Sequence, residues 1–304
     1  QVILYMVSIQ NAIFKEVFMN NLSDISVIKS VLSRHGFTFS KALGQNFIIN
    51  PGVCPRIAEE GGAGEGVGVL EVGAGIGVLT AELAKRASKV VCVELDTRLL
   101  PVLDETLGEF DNVKIINDDI LKVDLHRILE DEFGNMPVVV CANLPYYITS
   151  PVIMRLLESR LRIDSVTVMV QKEAAVRLCA DVGSRDSGAV TVAVNYYAEA
   201  QKLFDVSRGS FMPSPNVDSA VIRLDILKNP PIEVSDEKFF FSMVKAAFSQ
   251  RRKTASNGIS AGMGIPKPTV IEAIEAADLS PTVRAEALTM EQLGRLCEEL
   301  KKRA

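Results

Sequence analysis

From Gly61 to Val170 the chain alternates short runs rich in Val and Ile with amphipathic stretches, and no other feature constrains its fold as strongly. Val67–Val72, Lys89–Glu94, Val113–Asn117, Pro137–Ala142 and Ser165–Val170 read as strands. Leu79–Ala87, Thr97–Leu107 and Ser150–Glu158 carry helical spacing between them. Strands apolar on both faces, separated by helices, predict a mostly parallel sheet with helices on both sides. The expected fold class is therefore α/β, with a Rossmann-like sheet. Val190–Tyr197 and Ser219–Leu224 read as further strands that close the sheet, partly antiparallel. Strand signals stop around Lys228-Asn229-Pro230-Pro231, and from Asp236 the chain reads as helices punctuated by Asn257-Gly258 and Gly262–Pro268. We expect a leading extension and helix over 1–36, a main domain over 37–228 and a small helical domain over 229–304.

A chain of 304 residues with 48% hydrophobic and 23% charged residues can bury such a core without disulfides or structural metal. The five cysteines are scattered and form no C-x-x-C pair, which points to a reducing, cytoplasmic compartment and away from a zinc site. His35 and His126 lack ligand partners at useful spacing and read as surface or capping residues. Gln1–Phe18 is apolar, but it has neither the basic lead nor the cleavage site of a signal peptide, and it is too short and interrupted to span a membrane. Met19 reads as a native start, so residues 1–18 are expected to lie outside the native protein. No membrane partner is expected.

The first chemical motif is Glu71-Val72-Gly73-Ala74-Gly75-Ile76-Gly77, between a strand and a helix. Glycines there make a tight turn and let the backbone approach a ligand closely. Glu94 ends the next strand about twenty residues on, where a carboxylate can accept from both ribose hydroxyls of a nucleoside. It can equally be a surface glutamate at a strand end. A nicotinamide dinucleotide and S-adenosylmethionine compete for this half of the sheet. Glycines at 73, 75 and 77, led by Glu71, depart from G-x-G-x-x-G and favour S-adenosylmethionine. Asp119 reads as an acceptor for an adenine amino group, as a helix N-cap, or as both.

Asn143-Leu144-Pro145-Tyr146 ends the fourth strand, on the edge where ligands bind in such sheets. An exocyclic adenine amine is a poor nucleophile because its lone pair is delocalised into the ring. The Asn143 side-chain carbonyl and the Leu144 backbone carbonyl, aimed at its hydrogens, would favour pyramidalisation and stabilise the charge that grows as a methyl group arrives. Pro145 stiffens the turn, and Tyr146 offers a ring for a flipped base. Phe211, in Ser210-Phe211-Met212-Pro213-Ser214-Pro215, reads as a clamp on the other base face or as a plug between loop and core. With a net charge of -5, any RNA surface must be a local patch. Arg251-Arg252-Lys253, with Lys245 nearby, is the candidate; otherwise that run is a solvated helix end.

With these pieces in order, the chain from about Phe37 to Asn257 resembles the ribosomal RNA adenine dimethyltransferase family. The resemblance runs through Ser40–Phe47, Glu71–Gly77, Val93–Asp96, Asn143–Tyr147 and Gln171–Glu173. It continues through Phe211–Pro215, Val217–Ala220 and Phe248–Thr254. It implies S-adenosylmethionine as cofactor, contacted by Asn46, Ile48, Gly73, Glu94, Asp119 and Asn143, with Glu71 and Gly75 in the same turn. It places Lys41 with Arg251, Arg252 and Lys253 on the RNA side. It also implies dimethylation of two adjacent adenosines near the 3′ end of small-subunit (16S) RNA, within a ribosomal precursor, by a monomer that needs no metal. Asn216 stands where the family usually has lysine, removing one possible phosphate contact, and Ala255 where a larger apolar residue is common. Some family members methylate large-subunit RNA. The Phe-x-x-Ser-Lys entry, the Pro-x-Pro-x-Val-Asp-Ser segment and the Gln-Arg-Arg-Lys-Thr run favour the small-subunit branch. A nicotinamide oxidoreductase is disfavoured by the glycine spacing, and a noncatalytic assembly factor by the filled chemical positions.

Overall fold

The computed structural model describes residues 22–39, 44–250 and 252–304. Nine strands are described: β1 (Phe47–Ile48), β2 (Gly68–Val72), β3 (Lys89–Glu94), β4 (Val113–Asn117), β5 (Val138–Asn143), β6 (Ser165–Gln171), β7 (Ala198–Val206), β8 (Phe211–Met212) and β9 (Ser219–Ile226). Seven form one sheet in the order β4-β3-β2-β5-β6-β9-β7, and β1 pairs with β8 in a separate antiparallel ribbon. The strands from β4 across to β6 are parallel. The Lys172 N–H donates to Asp218 O at the end of β6, and the Leu227 N–H donates to Tyr197 O where β9 ends and β7 begins, so β9 runs antiparallel to both neighbours. Chain order reverses between β2 and β5, which leaves a crevice at their carboxyl ends. Burial explains the composition: every residue of β2 is buried, whereas β4, at the sheet edge, is half open.

The chain forms two compact units. Among the described residues, one comprises 22–155, Ser159–Lys172 and Lys202–Arg223; the other comprises Leu156–Glu158, Glu173–Gln201 and 224–304. The first holds α1 (Ile25–Arg34), α2 (Val53–Glu60), α3 (Val78–Ala84) and α4 (Leu100–Leu107). Asp24 caps α1 by accepting from Ser26 N at 2.7 Å, and His35 is its C-cap. Residues 1–18 lie outside the described residues. Among the described residues no helix is long and apolar enough to cross a membrane.

Two readings of the sequence are corrected. Val190–Tyr197 is not a strand but lies in a helix, Ala189–Tyr197. Its β-branched and aromatic residues favour strands in isolation, but a run apolar on all sides suits a buried helix equally well. The polar residues decide. The Thr191 hydroxyl accepts from Gly188 N at 2.9 Å and donates to Arg177 O at 2.7 Å, while Asn195 Nδ2 donates to Ala180 O and Thr191 O. Tyr196 and Tyr197 pack against Phe241 at 5.2 and 5.5 Å between ring centres. The strand β7 begins only at the next residue.

Asn257-Gly258 is likewise no interruption, because both residues sit inside the helix Ala255–Met263. A Cβ on Gly258 would lie 2.6 Å from Ala246 O, and one on Gly262 would lie 2.6 Å from Ala246 Cβ. The missing side chains let the helix Glu237–Phe248 press directly against this one, so tertiary packing outweighs the poor helix propensity of glycine.

Candidate active site

A cavity of about 310 Å³ opens where β2, β3 and β5 end, at the reversal of chain order. That is room for a nucleoside-sized ligand. Its floor is the turn after β2. Gly73, Gly75 and Gly77 have φ of 76°, 60° and 89°, which a side chain would resist, and Gly77 opens α3.

Glu94, at the end of β3, holds this floor. Its Oε2 accepts from Gly75 N–H at 3.1 Å and its Oε1 from Asp96 N–H at 2.8 Å. Burial raises its pKa, and the two backbone bonds pull it back. Each oxygen retains lone-pair capacity toward the cavity. Glu71 also borders the cavity but is almost wholly buried in β2, with its Oε2 accepting from the Cys92 thiol at 2.8 Å. Burial pushes its carboxyl up to about 7, against hydrogen bonds with Cys92 and Thr80. Asp119 sits at the rim, where its Oδ1 accepts from Leu121 N at 2.9 Å and its Oδ2 lies 3.3 Å from Lys122 Nζ. The Leu121 bond, more than the lysine, holds its carboxyl below the usual range.

At the end of β5, Asn143 Nδ2 donates to the backbone oxygen of Asn46 at 3.3 Å. One of its two N–H groups is thereby used, and Oδ1 is the acceptor it can offer a ligand. Leu144 anchors its side chain in the core, and Pro145 leads into a 3₁₀ turn, Tyr146–Ile148. Tyr146 is half-buried, with its hydroxyl 2.7 Å from Ser219 Oγ, and burial raises its pKa. Phe211 and Ile48 are partners across the β1–β8 ribbon, and both border the cavity. Phe211 is only 3% exposed, so its ring is packed into the core while bordering the same space. The structure thus gathers Asn46, Ile48, Glu71, Gly73, Gly75, Glu94, Asp119 and the Asn143–Tyr146 turn with Phe211 around one cavity. Among the described residues no group of three His, Cys, Asp or Glu side chains could hold a metal ion.

The model of the ribosomal RNA adenine dimethylase family matches residues 36–302. The chain belongs to this family. The ribosomal RNA small subunit methyltransferase A of Geobacillus thermodenitrificans is 48% identical over 276 residues, covering 90% of this chain and 94% of that protein. Its counterpart from Alkaliphilus oremlandii is 43% identical, covering 94% and 100%. Among solved structures, the 23S rRNA methyltransferase ErmE aligns with a TM-score of 0.62 at 30% identity, covering 84% of this chain and 100% of that one. A dimethyladenosine transferase from Plasmodium falciparum aligns with a TM-score of 0.70 at 26% identity, covering 84% and 98%. The fold is that of these RNA methyltransferases.

Of the basic residues expected on the RNA side, Arg252 and Lys253 lie among the described residues. Lys41 and Arg251 lie outside the described residues. Arg252 and Lys253 are exposed, and Lys253 borders a shallow cavity with Gln250, Asn257 and Lys267. Sequence reasoning missed Gln45 and Asp96, which also border the main cavity and bond each other at 2.8 Å. Both stand in segments that carried the resemblance, so the signal was position next to Asn46 and Glu94. Their mutual contact spans 51 residues and leaves no local trace.

Proposed function

We propose that this protein uses S-adenosylmethionine to dimethylate the exocyclic amine of two adjacent adenosines near the 3′ end of small-subunit (16S) ribosomal RNA. The observation that carries this reading is the pairing, in one cavity, of Glu94 on the nucleoside side with the Asn143–Tyr146 turn on the other. The residues fit the cofactor: a glycine floor permits close approach, and a buried carboxylate braced by two N–H groups suits ribose hydroxyls. When bound, S-adenosylmethionine supplies a methyl group on a sulfonium leaving group.

The protein's own part is positioning and charge stabilisation. Asn143 Oδ1 and Leu144 O accept from the two amine hydrogens, so the nitrogen lone pair turns toward the methyl group. The same dipoles stabilise the positive charge that then develops on nitrogen. Tyr146 offers a face to the flipped ring, and Phe211, packed into the core, borders the same space. In this reading residues 37–228 carry the reaction as a monomer, and residues 229–304 grip RNA through Arg251, Arg252 and Lys253. The names of the relatives favour small-subunit over large-subunit RNA.

The test is methyl transfer from labelled cofactor to small-subunit RNA from a strain lacking the modification, read by mass spectrometry. Dimethyladenosine at two adjacent positions is expected, and Asn143→Ala should slow single-turnover transfer about 100-fold while RNA and cofactor affinity change far less. Product in 23S RNA only, or an Asn143→Ala variant at the wild-type rate, would overturn the reading.

A further inference from the structure

We infer that Asp96, with Arg98 and Gln45, is a positioning unit that fixes the Asn143 amide through the cavity wall at Gly44–Phe47. The inference rests on the proposed role of Asn143 as acceptor for the target amine, and it extends that role to Gln45 and Asp96, which border the same cavity.

Asp96 is buried, and all of its capacity is used in one direction. Its Oδ1 accepts from Arg98 Nε at 2.8 Å and from Arg98 N at 3.1 Å; its Oδ2 accepts from Arg98 Nη2 at 2.6 Å and from Gln45 Nε2 at 2.8 Å. The Arg98 fork holds the carboxyl below its usual range, so it stays an anion. A planar two-point pairing resists rotation in a way a single bond does not. The same guanidinium lies 5.0 Å above the Phe37 ring, and its Nη1 donates to Thr38 O at 3.4 Å. The chain is therefore tied to Asp96 at both Thr38 and Gln45. On its other side, the Asp96 N–H donates to Glu94 Oε1.

From Gln45 the linkage continues into the reaction centre. Asn46 Nδ2 donates to Gly44 O at 3.0 Å, and Asn46 O accepts from Asn143 Nδ2 at 3.3 Å. That last bond decides which end of the Asn143 amide faces the cavity. A flipped amide would present N–H groups to a target that is itself a donor, which is repulsive where attraction is needed. At 3.3 Å the bond is already long, and a shift of the wall by about half an ångström would break it.

The experiment is single-turnover methylation with saturating cofactor and RNA for Gln45→Ala, Asn143→Ala and the double variant. Gln45→Ala leaves Asp96 paired with Arg98, so folding should be preserved, as checked by thermal melting. We expect a loss of roughly tenfold in rate with RNA affinity unchanged. That loss should vanish in the Asn143→Ala background, because the wall then has no amide to orient. Arg98→Lys, which keeps the charge and loses the fork, should show the same dependence on Asn143. A Gln45→Ala loss of equal size in both backgrounds, or no loss beside an impaired Asn143→Ala, would overturn the positioning role and leave the proposed function standing. An Asn143→Ala variant at the wild-type rate would overturn both.

Discussion

Replacing Glu71 with glutamine should abolish a pH dependence of stability that this carboxyl imposes on the fold. Glu71 lies in the middle of the sheet, beside Cys92 of β3 and Cys141 of β5. Thr80 bonds it from α3, Cys54 of α2 lies within its electrostatic reach, and the Glu94 carboxylate adds repulsion. Glu82 acts on Cys54 and Arg223 on Cys141, one thiol further out, and no basic side chain bonds Glu71 among the described residues. Burial therefore moves its pKa from 4.5 to about 7. The unfolded chain gives up this proton near 4.5, whereas the folded chain keeps it until about 7. Between those values the folded state binds more protons, so stability falls as pH rises through the window and levels off above it. At about 1.4 kcal/mol per pH unit the loss amounts to about 3 kcal/mol. Glutamine keeps the shape and cannot ionise. The stability difference between Glu71→Gln and wild type should grow by that amount from pH 4.5 to pH 8. Guanidinium unfolding followed by far-ultraviolet circular dichroism measures it, since the chain has no tryptophan. Parallel stability curves for the two proteins would refute the argument, because they would mean that the carboxyl ionises in place at little cost.

Glu94→Ala should weaken S-adenosylmethionine binding by roughly 1–3 kcal/mol in calorimetry, the cost of losing charge-assisted hydrogen bonds; wild-type affinity in a folded variant would place the ribose elsewhere. Neutralising Arg251, Arg252 and Lys253 together should weaken RNA binding and flatten its salt dependence by about 0.7 to 0.9 log units per lost phosphate contact, with cofactor affinity untouched. An unchanged slope would make that run a solvated helix end. Gly258→Ala should destabilise the helical unit by about 1–3 kcal/mol, because its Cβ would lie 2.6 Å from Ala246 O; an unshifted melting curve would mean that the two helices separate freely.

The parallel half of the sheet was legible because its signal is local. Lys89–Glu94 and Val113–Asn117 are uninterrupted strand runs whose bounds depend on their own residues, and both strands have the limits read from the sequence. The helix Ala189–Tyr197 was not legible, since what makes it a helix is Arg177 O, Ala180 O and the Phe241 ring, none of them in the segment. Gly258 misled for the same reason, its partner being the backbone of another helix. The chemical residues Glu94, Asn143 and Tyr146 could be named because strand ends carry ligands in such sheets. What orients them could not. Asn46 O, which turns the Asn143 amide, lies 97 residues upstream, and Ser219, which holds the Tyr146 hydroxyl, lies 73 residues downstream.

Glu71, Glu94, Asp96, Asp118 and Asp119 border the cavity, and no lysine or arginine does among the described residues. Glu71 keeps its proton until about 7, Asp96 is paired with Arg98 and Asp119 lies 3.3 Å from Lys122 Nζ, so the cleft is a poor place for a phosphate and only a mildly favourable one for a ligand carrying positive charge. An RNA substrate can send in only an uncharged base, so its backbone must be held by basic groups elsewhere, which is where the Arg252 and Lys253 side chains become relevant. S-adenosylmethionine, if bound here, would bring positive charge on sulfur, and the Glu94 carboxylate borders the cavity that would receive it. Its product would be a neutral thioether without that charge, so an acidic cleft would favour the charged cofactor over the spent one.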